Sequence, residues 1–218
     1  MLLYLMKQLI ILITLLSNFL FAYEFKLNEK DYKTINNSSK KSFIEKRLQK
    51  YNELKVKIEN YDLIRKLSHT NTFINKILPQ FDNKSSGIDD YWATPKEFLI
   101  NGHGDCEDYA IAKYFTLLEL GIKKENLYFA VVDVKARNGS HMVLLYSENK
   151  NESPLVLDNL SSLVIPLTRR VDLIPKFAFN EIDSYYLTNK NFTKKINLNW
   201  GKENKWEKLL YRVYNLNE

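Results

Sequence analysis

The order of helix-like and strand-like segments along the chain predicts an α+β fold. Apolar residues recur at helical spacing up to about residue 120, whereas short β-rich runs separated by polar turns begin at about residue 127. Helices grouped before antiparallel strands are typical of this class. The chain has 218 residues, of which 45% are hydrophobic, and this is enough for one substantial core. We therefore predict a single domain over residues 23–218.

The first 22 residues have the composition of a secretory signal peptide. Lys7 is followed by a nearly continuous apolar run from Leu9 to Phe21, and Ala22 is a small residue at the expected cleavage point. The run is shorter than the ~20 residues of a membrane-spanning helix, which favours cleavage over the alternative of an uncleaved membrane anchor. Either outcome predicts that the domain lies outside the cytoplasm.

The helical half is predicted from capping patterns and apolar spacing. Residues 23–41 are polar, and we expect them to form a loosely held arm. Ser42 and Glu45 form a capping-box pattern at the start of a helix, and a second helical segment follows over about 64–78. A short helix then begins at the capping box Thr94-Pro95-Lys96-Glu97.

The stretch GHGDCEDYA, residues 102–110, begins a helix that is apolar on most of its sides. Asp105 is a good N-cap residue, Asp108 follows three positions later, and Gly121 suits the position just after the helix. We expect this helix to be central, with Cys106 in its first turn.

The later part of the chain is predicted to form the sheet. Three β-rich runs cover residues 127–134, 141–146 and 155–157, and a further strand is expected near 185–187. Apolar residues over 206–213 have helical spacing, so we expect a C-terminal helix that packs on the core.

The composition excludes several functions. The formal charge of +6 comes from 32 basic and 26 acidic residues, with no dense basic block and no nucleic-acid-binding motif. We therefore predict a solvated, lysine-rich surface and no nucleic-acid partner. Cys106 is the single cysteine, which excludes an internal disulfide and a cysteine-based zinc site.

Cys106 is a candidate nucleophile. A helix N-terminus favours the reactive thiolate, which also needs a base and a residue that orients the base. His141 opens one strand and Asp158 closes the next, so the two side chains can lie together beside the helix N-terminus. His103 is a rival base, because it lies three residues before the thiol. A buried structural cysteine, a structural strand histidine and a turn aspartate are the alternative interpretations.

Three carboxylates surround this thiol in sequence, those of Asp105, Glu107 and Asp108. Negative charge raises the pKa of a thiol, so their position beside a nucleophile needs an explanation. Capping of the helix accounts for Asp105 and Asp108. A bound calcium ion, which prefers oxygen ligands, is the other explanation. The residues alone leave both open.

Several long segments of the sequence resemble the bacterial transglutaminase-like cysteine proteinases. They occur in the order of that family and are DYWATPKEFLINGHGDCEDYAIAKY (90–114), HMVLLY (141–146), PLVLDNL (154–160) and RRVDLIPKFAFN (169–180). The resemblance covers about residues 67–180, whereas residues 23–60 and 190–218 match less clearly.

The resemblance implies a papain-like, transglutaminase-like α+β fold. In this fold a helical N-terminal half precedes an antiparallel sheet, and the helix that carries the nucleophile packs on that sheet. It also implies roles for three residues: Cys106 is the nucleophile, His141 is the general base and acid, and Asp158 orients the imidazole.

The same resemblance explains the carboxylates through a calcium ion near the nucleophile. It implies that Asp105 and Glu107 are ligands of calcium, with Asp108 as a further ligand. The oxyanion donors would include the backbone N–H of Cys106, and Trp92 is a candidate side-chain donor.

In function, the resemblance implies a periplasmic endopeptidase that cuts the N-terminal region of a large surface adhesin. The cut releases the adhesin and disperses biofilm. An inner-membrane receptor for cyclic di-GMP is implied as an inhibitory partner. Two alternatives remain, a transglutaminase that uses the same triad and a non-catalytic periplasmic binding module.

Overall fold

The structure is a computed structural model that describes residues 23–80, 91–135, 139–201 and 203–215. The predicted signal peptide, residues 1–22, lies outside the described residues. Within those ranges, no helix is both long enough and apolar enough to cross a membrane.

Five of the six described α-helices precede the seven-stranded sheet along the chain, and the predicted C-terminal helix follows it. The described α-helices are α1 (Glu29–Asn36), α2 (Lys41–Ile58), α3 (Leu63–Ile74), α4 (Pro95–Asn101), α5 (Cys106–Glu119) and α6 (Lys205–Asn215). The described strands are β1 (Leu78–Pro79), β2 (His103–Gly104), β3 (Leu127–Val134), β4 (Ser140–Tyr146), β5 (Leu155–Asp158), β6 (Ser161–Pro166), β7 (Leu173–Phe179), β8 (Ser184–Thr188) and β9 (Asn191–Lys195). This arrangement confirms the α+β class.

Strands β3 to β9 form one antiparallel sheet in the spatial order β6-β5-β4-β3-β7-β8-β9. Its central pair runs from Leu127 opposite Tyr146 to Asp133 opposite Ser140. Strands β1 and β2 form a separate parallel pair, with Leu78 opposite His103. This short pair fixes the segment after α3 beside the chain that leads into α5.

Helix α5 packs against one face of the sheet, and this interface forms the largest part of the core. The buried side chains that α5, the sheet and α6 contribute to it include Tyr114, Phe115, Leu117, Phe129, Leu144, Leu157, Trp206 and Leu209. Burial of each large apolar side chain contributes about 1.5–3 kcal/mol to the free energy of unfolding. The first turn of α5 is therefore held firmly against the sheet, and the expected packing of the C-terminal helix is confirmed.

Local capping defines the start of both helices that flank the short β2 strand. The Thr94 N–H donates to Glu97 Oε2 (2.7 Å), and the Glu97 N–H donates to Thr94 Oγ1 (3.2 Å). At α5, the Asp105 N–H donates to Asp108 Oδ2 (3.3 Å). Gly121 follows α5 with a φ of +82°, a left-handed conformation that suits glycine. These predicted helix ends are confirmed.

The prediction of a loosely held arm over residues 23–41 is wrong. Helix α1 forms there because Asn28 and Asp31 cap it reciprocally: each backbone N–H donates to the side chain of the other residue at 2.9 Å. Ile35 of this helix is buried, as is Tyr23 before it. The polar composition of the segment hid these two apolar anchors.

Two other helix ends differ from their predicted positions. Helix α2 begins at Lys41, because the Lys41 N–H bonds to the carbonyl of Ser38 (3.1 Å) and places Ser42 inside the first turn. Helix α3 ends at Ile74 instead of continuing to residue 78, because Leu78–Pro79 pairs with β2. In both cases the neighbouring backbone supplies hydrogen bonds that the side-chain pattern does not reveal.

Candidate active site

The sulfur of Cys106 lies at the N-terminus of α5, beside the start of β4. The thiol donates to Glu107 Oε2 (2.8 Å), and the backbone N–H of Met142 donates to the sulfur. Burial raises the pKa of the thiol well above its usual range, and the charge and hydrogen bond of Glu107 raise the pKa further. The thiol is therefore protonated in this arrangement.

His141 and Asp158 form a buried pair at neighbouring ends of β4 and β5. His141 Nε2 lies 2.8 Å from Asp158 Oδ1, and the Asp158 side chain is fully buried. The antiparallel register, with Leu144 opposite Leu157, brings the start of β4 to the end of β5. An ionised carboxylate can only accept a hydrogen bond, so Nε2 carries the ring proton. Nδ1 is then the unprotonated ring nitrogen that can act as a base.

Two further donors hold the carboxylate of Asp158. The Leu160 N–H donates to Oδ1 (2.9 Å), and Arg170 Nη2 donates to Oδ2 (2.7 Å). Burial alone would raise the pKa of Asp158, but the hydrogen bond and charge of His141, the Leu160 N–H and Arg170 outweigh burial and lower the pKa to about 2. The carboxylate is consequently ionised at neutral pH.

Cys106 and His141 line the same open pocket, whose volume is about 380 Å³. Gln80 and Asn159 contribute amide side chains to the lining, and Leu160 contributes an apolar one. The Gln80 N–H donates to the carbonyl of Gly104 (2.7 Å) just beyond the β1–β2 pair. The pocket can thus accept a chain segment that presents a carbonyl group to the sulfur.

Two residues considered from sequence lie elsewhere. Trp92, the candidate oxyanion donor, is buried and packs edge-on against Trp200 with ring centroids 6.3 Å apart. His103, the rival base, lies in β2, where burial and then the charges of Lys40 and Arg47 lower its pKa. Neither residue is among the described residues that line the pocket. Among the described residues, His141 is the histidine that lines the same pocket as Cys106.

The three carboxylates near the thiol have different surroundings. Asp108 is 3% exposed, and its Oδ1 accepts the Ala93 N–H (2.7 Å) while its Oδ2 accepts that of Asp105. Asp108 therefore acts as a capping residue, which one of the two sequence explanations proposed. In the described ranges, no three His, Cys, Asp or Glu side chains form a metal-binding group. Asp105 and Glu107 nevertheless carry the oxygen donors that calcium prefers.

Sequence reasoning missed two cations near Asp158. Arg170 binds its carboxylate directly, and Lys113 of α5 is only 1% exposed. Burial lowers the pKa of Lys113 to about 7, whereas the charge of Asp158 acts in the opposite direction. The sequence does carry a signal for Lys113, which is the sole basic residue of α5. The Arg170 contact joins segments 12 residues apart and has no comparable local signal.

Replacement of Lys113 by methionine should stabilise the protein at acidic and neutral pH. The folded-state pKa of about 7 lies below the usual value of 10.5, so the folded protein carries a buried charge below pH 7 and loses it as the pH rises. The free energy of unfolding of Lys113→Met should exceed that of the unchanged protein by about 1–4 kcal/mol below pH 7. This gain should shrink between about pH 7 and 10.5, because the unfolded chain there binds the additional proton.

Urea unfolding at about pH 6 and about pH 9 measures this effect. Lys123→Met, at an exposed lysine, is the matched control and should change little at either pH. A Lys113→Met variant that is less stable than the unchanged protein at the acidic pH, where Lys113 is charged, would show that the buried ammonium is net stabilising.

A cysteine at a helix N-terminus that shares a pocket with a strand histidine, whose ring is paired with a buried aspartate, is the arrangement of papain-like cysteine hydrolases. The chain belongs to the bacterial transglutaminase-like cysteine proteinase family, whose family model matches residues 37–171. This match confirms the family resemblance, and with it the transglutaminase-like fold.

Solved structures of LapG from Legionella pneumophila are similar to this chain over most of both molecules. The EGTA-treated form has a TM-score of 0.69 at 29% identity and covers 85% of this chain and 96% of its own. A second LapG structure has a TM-score of 0.68 at 30% identity, covering 88% and 98%. The calcium-bound form also gives 0.68 at 30% identity, covering 85% and 98%. No curated protein matches the chain.

Proposed function

We propose that the protein is a calcium-dependent cysteine endopeptidase that acts in the periplasm on the N-terminal region of a large cell-surface adhesin. Cleavage releases the adhesin and promotes biofilm dispersal, and an inner-membrane cyclic di-GMP receptor inhibits the protease. The observation that carries the proposal is the pocket that Cys106 shares with His141, whose ring is paired with the buried Asp158. Membership of the proteinase family and the similarity to LapG support it.

Acylation in the proposed reaction begins at Cys106. As Sγ attacks the carbonyl carbon of the peptide, His141 Nδ1 takes the thiol proton and the carbonyl electrons move to the oxygen. The backbone N–H of Cys106, at the N-terminus of α5, is suited to donate to this oxyanion. The carbonyl then re-forms, the C–N bond breaks, and the leaving amine takes the proton from His141.

Deacylation repeats the same steps with water. His141 removes a proton from the water as its oxygen attacks the thioester, and the C–S bond breaks to release the carboxylic acid and restore the thiol. Asp158 holds the ring with Nδ1 free and stabilises the imidazolium formed in each half-reaction. A transglutaminase would replace this water with a primary amine.

The choice of substrate, partner and compartment rests on sequence features. The shared segments around residues 90–114, 141–146, 154–160 and 169–180 support an adhesin substrate and a cyclic di-GMP receptor. The cation, apolar run and small residue within 1–22 support export to the periplasm.

The proposal is tested on the N-terminal region of a large repeat adhesin encoded near this gene. With calcium present, the purified protein should produce two fragments from one cleavage site, which mass spectrometry can locate. Incorporation of a labelled primary amine without cleavage would identify a transglutaminase instead. Absence of both reactions, together with a thiol inert to an alkylating reagent, would identify a binding module.

Calcium in this proposal is held by Asp105 and Glu107. Asp108 is a third candidate, because each of its carboxylate oxygens retains a lone pair beside the N–H that it accepts. A bound calcium ion supplies positive charge that offsets the carboxylates near Sγ. Support comes from LapG, which has been solved in both calcium-bound and EGTA-treated forms.

Removal of calcium should stop cleavage, and its return should restore cleavage. Binding should also raise the midpoint of thermal unfolding, since ligand at 100 times its Kd adds about 2.7 kcal/mol to the free energy of unfolding. Asp105→Asn and Glu107→Gln should weaken both effects, whereas Glu53→Gln, at an exposed acid of α2, should preserve them. Unchanged activity and unchanged unfolding in excess EGTA would contradict the calcium proposal.

A further inference from the structure

Arg170 is a buried arginine that connects Asp158 to the segment before β7. It is 5% exposed, and its Nη2 donates both to Asp158 Oδ2 (2.7 Å) and to Asp172 Oδ2 (2.6 Å). Its Nε donates to Asp172 Oδ1 (2.9 Å). One edge of the guanidinium is therefore bound by Asp172, and the same edge reaches across to Asp158.

The backbone of Arg170 is fixed independently of Asp158. Its N–H donates to the carbonyl of Leu167 (3.0 Å), and its carbonyl accepts the Leu173 N–H (3.1 Å) and the Lys190 ammonium. These contacts hold the arginine in place before it binds the aspartate. A preorganised guanidinium can impose an orientation on a carboxylate at little further cost in entropy.

Orientation matters because the terminal torsion of an aspartate side chain is soft. Asp158 Oδ1 receives both His141 Nε2 and the Leu160 N–H, while Oδ2 receives Arg170. Lys113 of α5 is also close enough for the charge of Asp158 to act on its pKa. We propose that Arg170 is a positioning residue that fixes the Asp158 carboxylate so that Oδ1 faces His141 Nε2.

This inference rests on the proposed function, because Arg170 acts through the residue that orients the catalytic base. A purely structural role is the competing explanation, since removal of one partner of a buried ion pair is destabilising in itself. The experiment must therefore measure more than stability. Catalytic parameters, a substrate-independent reaction of the thiol and coupling to Asp158 together separate the two roles.

Arg170→Met should lower kcat by on the order of 10- to 100-fold, with KM changed by no more than about twofold, because the imidazole is misplaced and substrate binding is untouched. Arg170→Lys should recover part of kcat, since an ammonium can reach one carboxylate oxygen but cannot reproduce the two-nitrogen edge with which the guanidinium binds both aspartates. Arg169→Met removes the adjacent exposed arginine and is the matched control. Equal kcat in Arg170→Met and Arg169→Met would overturn the proposal.

Coupling to Asp158 distinguishes positioning from support of the fold. In an Asp158→Asn background the amide has one acceptor oxygen, and Arg170 competes with His141 for it. Removal of Arg170 from this background should then leave kcat unchanged or raise it. In the protein that retains Asp158, the same removal should lower kcat. The same fractional loss in both backgrounds would show that Arg170 acts only on stability. If Arg170→Met does not fold, the same comparison is made with Arg170→Lys, alone and combined with Asp158→Asn, and the same outcomes distinguish positioning from support of the fold.

Alkylation of Cys106 by iodoacetamide separates this inference from the proposed function, because it needs no peptide. A slower reaction in Arg170→Met than in Arg169→Met supports the positioning role even if no adhesin is cut, in which case the proteolytic proposal alone fails. Equal alkylation rates in the two variants, with adhesin cleavage intact, would overturn the positioning role alone.

Discussion

Cys106→Ala is expected to abolish peptide cleavage while the protein remains folded. Loss of the nucleophile from a catalytic unit of this kind lowers kcat by on the order of 10⁴-fold or more. The thiol donates to Glu107 Oε2 and its sulfur accepts the Met142 N–H, so its loss should change the free energy of unfolding by only about 1–2 kcal/mol. Alanine also suits the first turn of a helix.

Cleavage of the adhesin fragment, followed by gel electrophoresis and mass spectrometry, measures this loss. Circular dichroism and thermal unfolding establish that the variant is folded. Ser140→Ala is the matched control, because it removes a hydroxyl from the lining of the same pocket and should retain activity. Full activity of Cys106→Ala would eliminate a thiol mechanism.

Asp158→Asn is expected to lower kcat by on the order of 10³- to 10⁴-fold. The three groups around the carboxylate, namely His141 Nε2, the Leu160 N–H and Arg170 Nη2, all donate hydrogen bonds in this arrangement. An amide has only one acceptor oxygen, so its NH₂ group must face at least one donor. With Arg170 holding the oxygen, the NH₂ group faces His141 and favours the wrong tautomer.

Steady-state kinetics at neutral pH, with calcium in excess, measure this loss. Asp133→Asn, at an aspartate of β3 that is 40% exposed, is the matched control and should retain kcat. An Asp158→Asn enzyme with undiminished kcat would show that Asp158 does not orient His141.

The low pKa of Asp158 predicts how the stability of the protein depends on pH. The folded-state pKa of Asp158 is about 2, below the usual value of 3.8, so its contribution to stability is complete above about pH 4 and is lost as the pH falls towards 2. The contribution is on the order of 2 kcal/mol. Urea unfolding should show a smaller slope with pH in Asp158→Asn than in Asp133→Asn. Identical slopes would contradict the low pKa of Asp158.

Local patterns predicted the elements whose determinants lie within a few residues. The Thr94–Glu97 and Asp105–Asp108 caps are contacts three residues apart, and strand β3 has the predicted bounds Leu127–Val134. Helix α1 was missed although its Asn28–Asp31 cap is local, because the polar composition of residues 23–41 hid the buried Ile35 and Tyr23. Strand β9 was missed because most of it is exposed and polar, and β6 was missed because its apolar run is only Leu163–Ile165, between two serines and Pro166.

Some features of the candidate site were likewise predictable from local sequence, whereas others depended on the tertiary structure. The cysteine at a capped helix N-terminus, the strand histidine and the aspartate at a strand end were all predicted from residue type and position, and family resemblance supplied their roles. The exclusion of His103 and Trp92 from the described pocket lining required coordinates, as did the burial of Lys113. These facts depend on how segments that are distant in the chain pack together.

Sequence alone identified the proteinase family, the α+β class and the three residues of the proposed triad, because their signals are short-range and chemically specific. Tertiary structure decided that the His141–Asp158 pair is buried, that His141 lines the same pocket as Cys106, and that Arg170 binds Asp158. The reason is physical: burial and hydrogen-bond geometry arise between strands and loops whose relative positions no local pattern specifies. The orientation of the Asp158 carboxylate is therefore a property of the folded chain.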